Sequence, residues 1–355
     1  MSFSQRSTAR CAVLCSAVAL AACAGKTPVE QTIVAGGDCM FVRGDGMSPD
    51  MPADAGDRRW EGIALTLQRS DAFLFNLETT IGQGGTPKTK QFVFRSPSRV
   101  LDDLRTFPRT VAGLANNHSM DYGIEGLSGT LSALNAAGIS HAGAGMSLGE
   151  AFRPALLAPG ASRIAVFSEG VDNDETAFAS VERPGIAPIA VRALRQGIAG
   201  VRSASTVVVV MLHWGIEYQT MYAPAQRALA HALVDAGADL VVGTGPHVLQ
   251  GIERYGGALI CYSLGNLVFD DLRSADTSAG LLLRMRVLSV HGSVTRKVFS
   301  IAPLRTKQKS EGPRAPTLED AEGIIRMIAA RSPEPSVVDH SGPIAEDGLS
   351  WFEIR

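Results

Sequence analysis

Apolar and polar positions along the chain fall into two alternating textures. Short β-rich runs recur at Thr32–Gly37, Ala72–Phe75, Thr110–Ala115, Ile164–Ser168, Thr206–Leu212, Leu240–Val242 and Leu259–Tyr262. Between them lie stretches of helical period. Ile124–Ala137 carries Leu127, Leu131 and Leu134 on one side and stops at Gly138, a fitting C′ glycine. Ala187–Val201 has Val191, Leu194 and Ile198 at helical spacing, and Ala223–Ala236 opens with Pro224 in its first turn and stops at Gly237. Strand–helix alternation of this kind predicts an α/β domain.

After Asp271 the pattern changes. Gly280–Val290 and Ser293–Pro303 flank His291-Gly292, which predicts a β-hairpin. Thr306–Pro316 is rich in Lys, Arg and Pro and reads as a surface loop. Thr317 with Asp320 makes a capping-box-like start to a short helix reaching Ala330. The tail from Ser332 is Pro-rich and polar and ends in Trp351-Phe352. No internal repeat is present. The expected organisation is a main domain over 32–272 and a C-terminal extension over 273–355.

The first residues have a different logic. Arg6 and Arg10 precede an apolar or small run, Cys11–Ala22, of signal-peptide length and too short to span a bilayer stably. It ends Leu20-Ala21-Ala22-Cys23, which resembles a bacterial lipobox. Residues 1–22 are therefore expected to be a lipoprotein signal peptide, Cys23 the lipidated residue and 23–31 a tether; an ordinary secretory signal is the plainer alternative. Ala24, in place of Asp, points to outer-membrane sorting. The expected location is exported, lipid-anchored at the periplasmic face of the outer membrane, with the membrane as a partner.

Composition narrows the classes. Of the 355 residues, 45% are hydrophobic and 19% charged, enough for a sizeable core and unlike a disordered chain. Lys+Arg 33 against Asp+Glu 35 leaves a net charge of -2, with no electrostatic footprint for nucleic acid. Five cysteines are too few for a disulfide scaffold. Cys39 and Cys261 sit in apolar, strand-like contexts and are expected as buried thiols, a disulfide between them being the alternative in an exported protein.

The chemistry lies where the strands end. Asp38, Glu78, Asn117, His118, His213 and His247 each follow one of the apolar runs. In an open α/β sheet, the crevice outside the carboxyl ends of the strands is where ligands bind. Carboxylates, an Asn carbonyl and imidazoles form a mixed O/N set suited to Zn, Mn or Fe, with one or two divalent ions and a shared carboxylate. Taken singly, Asp38 reads as a turn-former or helix cap, Glu78 as a solvated loop charge and His247 as a packed loop histidine. Recurrence of the same placement at successive strand ends is what favours a site.

These blocks carry a resemblance. Gly37-Asp38, Asn76-Leu77-Glu78, Ala115-Asn116-Asn117-His118 with Asp121-Tyr122-Gly123, His213-Trp214-Gly215 with Glu217-Tyr218, Pro246-His247-Val248 and Tyr262-Ser263-Leu264-Gly265-Asn266 are similar to the CapA (poly-γ-glutamate capsule synthesis) family. That family is a branch of the calcineurin-like metallophosphoesterases. The resemblance spans about 33–270 and implies a four-layer α/β/β/α sandwich. It implies metal ligands at Asp38, Glu78 (as bridging carboxylate), Asn117, His213 and His247. It makes His118 the catalytic histidine and puts Asn116, Asp121, Glu217, Tyr218 and Asn266 among substrate-binding candidates. Two departures stand out: the superfamily's D-x-H is Asp38-Cys39-Met40 here, and a further histidine usual near 244 or 245 is replaced by Thr244 and Gly245. Two functions are expected from this. One is a metal-dependent hydrolase of a phosphate ester or related bond in the cell envelope, with metal-bound water as nucleophile and His118 as general acid or phosphate clamp. The other is a non-catalytic envelope protein that binds or guides an anionic polymer such as poly-γ-glutamate through a degenerate metal site.

Overall fold

The computed structural model describes residues 28–41, 58–203, 206–269, 274–307, 312–339 and 341–355. The expected signal peptide, Cys23 and the first part of the tether lie outside them. So do the boundary residues at 270–272.

The chain is mixed α/β. In order, it forms β1 (Val29–Cys39), β2 (Ala72–Leu77), β3 (Thr110–Gly113), α1 (Gly123–Ala137), β4 (Ser140–Ala142), β5 (Ala155–Leu157), β6 (Arg163–Gly170) and α2 (Val191–Val201). There follow β7 (Thr206–His213), α3 (Pro224–Asp235), β8 (Leu240–Thr244), β9 (Ile252–Tyr255), β10 (Ala258–Cys261) and β11 (Asn266–Val268). The last part holds β12 (Ala279–Val290), β13 (Ser293–Lys307), β14 (Gly312–Arg314), α4 (Leu318–Arg331), β15 (Ile344–Glu346) and β16 (Leu349–Ile354).

Two large sheets result. A ten-stranded sheet runs β15-β16-β13-β12-β1-β2-β3-β4, with β11 beside β1 and β14 beside β13. A six-stranded sheet runs β9-β10-β8-β7-β6-β5. In the first, β1, β2, β3 and β4 are parallel; in the second, β6, β7, β8 and β10 are. All carboxyl ends within each parallel set therefore point the same way.

The valine run of β7 shows how one sequence serves two cores. Val207, Val209 and Met211 join Ile33, Ala35, Leu74 and Val111 of the other sheet in one buried cluster. Val208, Val210 and Leu212, on the opposite face by strand alternation, pack with Leu194 and Ile198 of α2 and Leu233 of α3. Parallel strands covered on both faces read as unbroken apolar runs for this reason. On the far side of the first sheet, Val34, Phe73 and Phe75 pack with Leu127, Leu131 and Leu134 of α1.

Several local expectations meet the structure well. The β12–β13 turn is His291-Gly292, both with positive φ (52° and 78°), as a two-residue mirror-image turn requires. Gly138 caps α1 at φ 69°, and the Thr317 side chain accepts from the Asp320 N–H at the start of α4. Cys39 and Cys261 are buried free thiols, and burial raises the pKa of both.

Other expectations are corrected. The helix predicted from Ala187 begins only at Val191, because Ala187 N donates to Gly143 O and Pro188 bridges Gly170. Strand β1 begins at Val29, inside the expected tether, since Gln31 bonds Ser162 through both its amide atoms and Val29 pairs with Ser289. The expected loop over Thr306–Pro316 carries the end of β13 and the short β14 that pairs back onto it. The polar-looking tail contains β16, which pairs with β13 and buries Trp351 completely beneath the Arg284 guanidinium. The C-terminal part is thus no appendage: β12 hydrogen-bonds to β1 along most of its length.

Candidate active site

Strand register brings the polar strand ends together. Asp38 is aligned with Asn76 on β2 and with Asn266 on β11. His213 ends β7 opposite Thr244 of β8. Gly37 permits the convergence: a Cβ there would meet the Gly265 carbonyl oxygen at 1.9 Å, and Asp38 N donates to that same oxygen. His247 adopts φ 58°, a conformation rare for a non-glycine residue and typical of functional sites.

At the centre is Glu78, fully buried. Neither carboxylate oxygen has a hydrogen-bond partner among the described residues. Three imidazoles face its Oε1: Nε2 of His247 at 3.6 Å, of His118 at 3.9 Å and of His213 at 4.0 Å. Asp38 completes the group, with Oδ2 3.4 Å from His247 Nδ1 and Oδ1 3.9 Å from His213 Nδ1. Ligand atoms from Asp38, Glu78 and His213 lie within 4.8 Å of one another. The Asn117 Oδ1 is buried and likewise has no partner among the described residues.

The electrostatics follow from burial. Burial, with the nearby Asp38 charge, raises the Glu78 pKa well above the ordinary carboxyl range, only partly countered by His247. Asp38 is lowered despite its burial, by the hydrogen bond and charge of His247, by His213 and by the Gly245 N–H at 3.0 Å. Burial drops His213 to about 4 against the pull of Asp38. Burial also opposes charge on His247, but the Glu78 and Asp38 carboxylates together outweigh it and raise this imidazole to about 10.

Unpaired acceptors sunk among imidazoles are costly unless a cation joins them. The donor set of two carboxylates, two or three imidazoles and an amide oxygen fits a divalent transition metal. The expected histidine after Asp38 is absent in a telling way. Met40 occupies that position and is buried with Phe94 and Phe269. Thr244, at the other substituted position, has its Oγ1 3.3 Å from His213 Nδ1.

His118 is held differently from the other imidazoles. Its Nδ1 lies 2.8 Å from Asp121 Oδ2, which also accepts from Phe94 N at 2.6 Å. Lys90 pairs with the second Asp121 oxygen. The Phe94 ring stacks on the imidazole with centroids 3.9 Å apart. Asp121 therefore fixes the Nδ1–H tautomer and turns Nε2 towards Glu78. Burial lowers the His118 pKa, with Asp121 opposing, which favours the neutral ring.

Three residues expected to bind substrate are placed otherwise. Asp121, Asn116 and Asn266 are all at most 1% exposed and bonded to protein groups. Asn116 donates to Asn76 Oδ1 and Leu77 O and accepts from His118 N. The Asn266 Oδ1 is 3.0 Å from His247 Nδ1. They orient the cluster rather than face a ligand, because strand-end side chains that point inward find neighbouring strand ends before solvent. Glu217 is exposed and Tyr218 is 51% exposed, with its ring centroid 6.2 Å from that of His247.

Sequence reasoning missed four contributors. Asn76 donates to Asp38 Oδ1 at 2.8 Å and lies 3.3 Å from His213 Nδ1. Strand alternation placed it on the face of Glu78, and that signal was available. Lys90 lies in a polar loop that no pattern marks, while Phe94 and Phe269 end short apolar stretches and read as core residues rather than site residues. The Phe269 ring sits 4.7 Å from the His247 ring.

Comparison with known proteins gives a consistent picture. A family model described as bacterial capsule synthesis protein PGA_cap matches residues 32–271. The PGA biosynthesis protein CapA of Bacillus subtilis is 38% identical over 174 residues, 48% of this chain and 45% of that protein. The capsule biosynthesis protein CapA of Bacillus anthracis is 34% identical over 225 residues, 62% of this chain and 53% of that protein. A probable polyglutamine synthesis accessory protein of Mycobacterium tuberculosis is 36% identical over 233 residues, 60% of each chain. The chain thus spans about half the length of the curated relatives it matches.

Proposed function

The chain belongs to the bacterial capsule synthesis protein family PGA_cap, and from that premise we propose that it is a metal-dependent hydrolase of the cell envelope. Its substrate would be a phosphate ester or related bond, met during synthesis or export of an anionic polymer of the poly-γ-glutamate type. The names of the relatives support the polymer. The observation that carries the chemistry is Glu78: a buried carboxylate with no hydrogen-bond partner among the described residues, facing three imidazole nitrogens at 3.6–4.0 Å.

Asp38, Glu78, Asn117, His213 and His247 would hold one or two divalent ions, of Mn, Zn or Fe type. Such an ion supplies Lewis-acid polarisation and a lowered pKa for water. The chain's own groups do the rest. Asn76 and the Gly245 N–H hold Asp38 in place, and Asn266 orients His247. His118 takes or gives a proton at Nε2, while Asp121 keeps Nδ1 occupied. An arriving anion opposite His118 favours its protonated form, which then serves the leaving oxygen. Phe94 and Phe269 exclude water from this side. Glu217 and Tyr218, both exposed, with Tyr218 beside His247, would meet the substrate.

The finer fold reading is a four-layer α/β/β/α sandwich of metallophosphoesterase type. The shared core between the two sheets, with helices packed on the outer faces, supports it. Lipid attachment at Cys23 of an exported chain belongs to the same proposal. Cys23→Ala should release the protein from membranes or leave it unprocessed, and unchanged fractionation and maturation would remove that part. A second reading, polymer binding without turnover, is favoured by Met40 and Thr244–Gly245 standing where the superfamily carries histidines. Metal analysis of the purified protein, with a phosphatase screen across several added metals, separates the two. Bound metal with no turnover of any phosphate ester would favour the second.

A further inference from the structure

The other end of the strands carries a second feature, remote from the acid–imidazole cluster and independent of its role. A cavity of about 580 Å³ opens where β7 and β8 begin, lined by Arg202, Thr206, Asp239, Thr295, Arg296 and Lys297 among others. From Thr206 to His213 is the length of β7, so the two sites are about 23 Å apart at a strand rise of about 3.3 Å per residue.

The charges here do not cancel. Asp239 accepts from Arg202 Nη1 at 2.5 Å, from Lys297 Nζ at 2.6 Å and from Val208 N at 2.8 Å. One carboxylate thus serves two cations. The Arg296 side chain, also lining the cavity, is exposed and has no hydrogen bond or ion pair among the described residues. About two positive charges remain uncompensated around one concavity. The local backbone contributes to this. β13 has an irregular register, with Leu288 opposite Arg296 but Ser289 opposite Val294, leaving Thr295 as the extra residue. Such a bulge changes the phase of a strand and re-aims its side chains, and bulges are enriched beside functional sites. Val294, Thr295, Arg296 and Lys297 consequently all line the cavity.

We propose that this cavity is an oxyanion site that takes a phosphate group. One phosphate carries nearly two negative charges at neutral pH and offers several acceptor oxygens, whereas a carboxylate carries one. It would match the residual charge with a single group. Arg296 is the principal ligand, because its whole fork is uncommitted. Arg202 and Lys297 contribute the donor capacity that Asp239 does not use. The phosphate comes from a lipid headgroup or from a soluble compound, and the test separates these sources.

The test is calorimetric titration of the full chain, with chelator present to keep metal out of the other site. The probes are inorganic phosphate, glycerol 3-phosphate as the phosphomonoester headgroup of phosphatidic acid, and poly-γ-glutamate. The wild type should bind a phosphate probe saturably. Arg296→Glu should weaken it by about tenfold or more. Arg192→Glu makes the same charge change on an exposed position at the opposite end of α2 and should leave binding unchanged. Unaltered melting of both variants is expected because the exposed Arg296 and Arg192 side chains make no hydrogen bond or ion pair among the described residues. Preference for glycerol 3-phosphate assigns the site to a lipid headgroup; preference for inorganic phosphate assigns it to a soluble ligand. No saturable binding by the wild type, equal binding by Arg296→Glu, or equal weakening by Arg192→Glu overturns the site. Tighter binding of poly-γ-glutamate than of either phosphate probe overturns the phosphate assignment.

Discussion

Glu78 and Glu253 are both buried glutamates with histidines beside them, and their surroundings could hardly differ more. Glu253, on β9, accepts from Arg227 at 2.7 Å, from Tyr262 Oη at 2.7 Å and lies 3.0 Å from His231 Nε2. Its pKa is lowered in spite of burial. The Glu78 carboxylate has no hydrogen-bond partner among the described residues and its pKa is raised. A folded chain that satisfies one buried carboxylate completely and leaves another bare has not run short of donors: Asn76, Thr244 and the Gly245 N–H all lie within the same cluster. The donors there hold Asp38 and His213 instead. On the proposed function the bare carboxylate would meet a cation, whereas the satisfied one clamps α3 to the sheet edge.

The contrast can be broken by experiment. Glu78→Gln should produce the largest effect, lowering metal content by about tenfold or more and turnover with it. The metal-free variant should melt no lower than the metal-free wild type, because a buried charge without partners has been removed. Metal content by elemental analysis and melting curves decide this. Equal metal per chain would place Glu78 outside the centre. His118→Ala comes next. Turnover of any substrate found should fall by about 10²–10⁴ while metal stays near the wild-type level. His213→Ala and His247→Ala should instead lose metal and activity together. Metal loss in His118→Ala with retention in the other two would reverse the assignment.

The clamp side predicts stability effects without functional ones. Glu253→Gln should destabilise the fold by about 3 kcal/mol in denaturant titration, since charge-assisted hydrogen bonds to three partners are weakened at once. Its metal content should not change. If Glu253→Gln loses metal, or Glu78→Gln alone loses stability, the two glutamates have exchanged roles.

A smaller, pH-dependent effect sharpens the same distinction at a third carboxylate. Glu169 is 1% exposed and burial raises its pKa to about 8; one oxygen accepts from Ala190 N at 2.6 Å and the other has no partner among the described residues. A carboxyl whose folded pKa exceeds the unfolded value of 4.5 leaves stability intact below pH 4.5 and lowers it progressively up to pH 8. Glu169→Gln should therefore melt like the wild type near pH 4.5 and gain on the order of 4 kcal/mol by pH 8. A constant difference across this range would show that the Glu169 carboxyl does not titrate there.

The pattern of apolar runs was enough to determine the α/β class, most strand positions and the polar residue at each strand end. That follows from physics local to the chain: strands covered on both faces must be apolar, and the first polar residue after such a run marks where the sheet stops. The hairpin at His291-Gly292 and the ends of α1 and α4 were legible for the same reason, since turns and caps depend on a few adjacent residues. Tertiary structure alone decided which strand ends meet. Asp38, Glu78, His213 and His247 form one cluster because register aligns β1 with β2 and β11 and sets β7 against β8. It also decided that Asn116, Asp121 and Asn266 support the cluster from behind, and that Phe94, Phe269 and Lys90 reach it from distant parts of the chain. The late strands β12, β13 and β16 looked like an extension because hydrogen bonding to β1 spans about 250 residues of sequence. No local pattern records a partner so far away; only the closed sheet, with its backbone donors and acceptors to be paired, selects it.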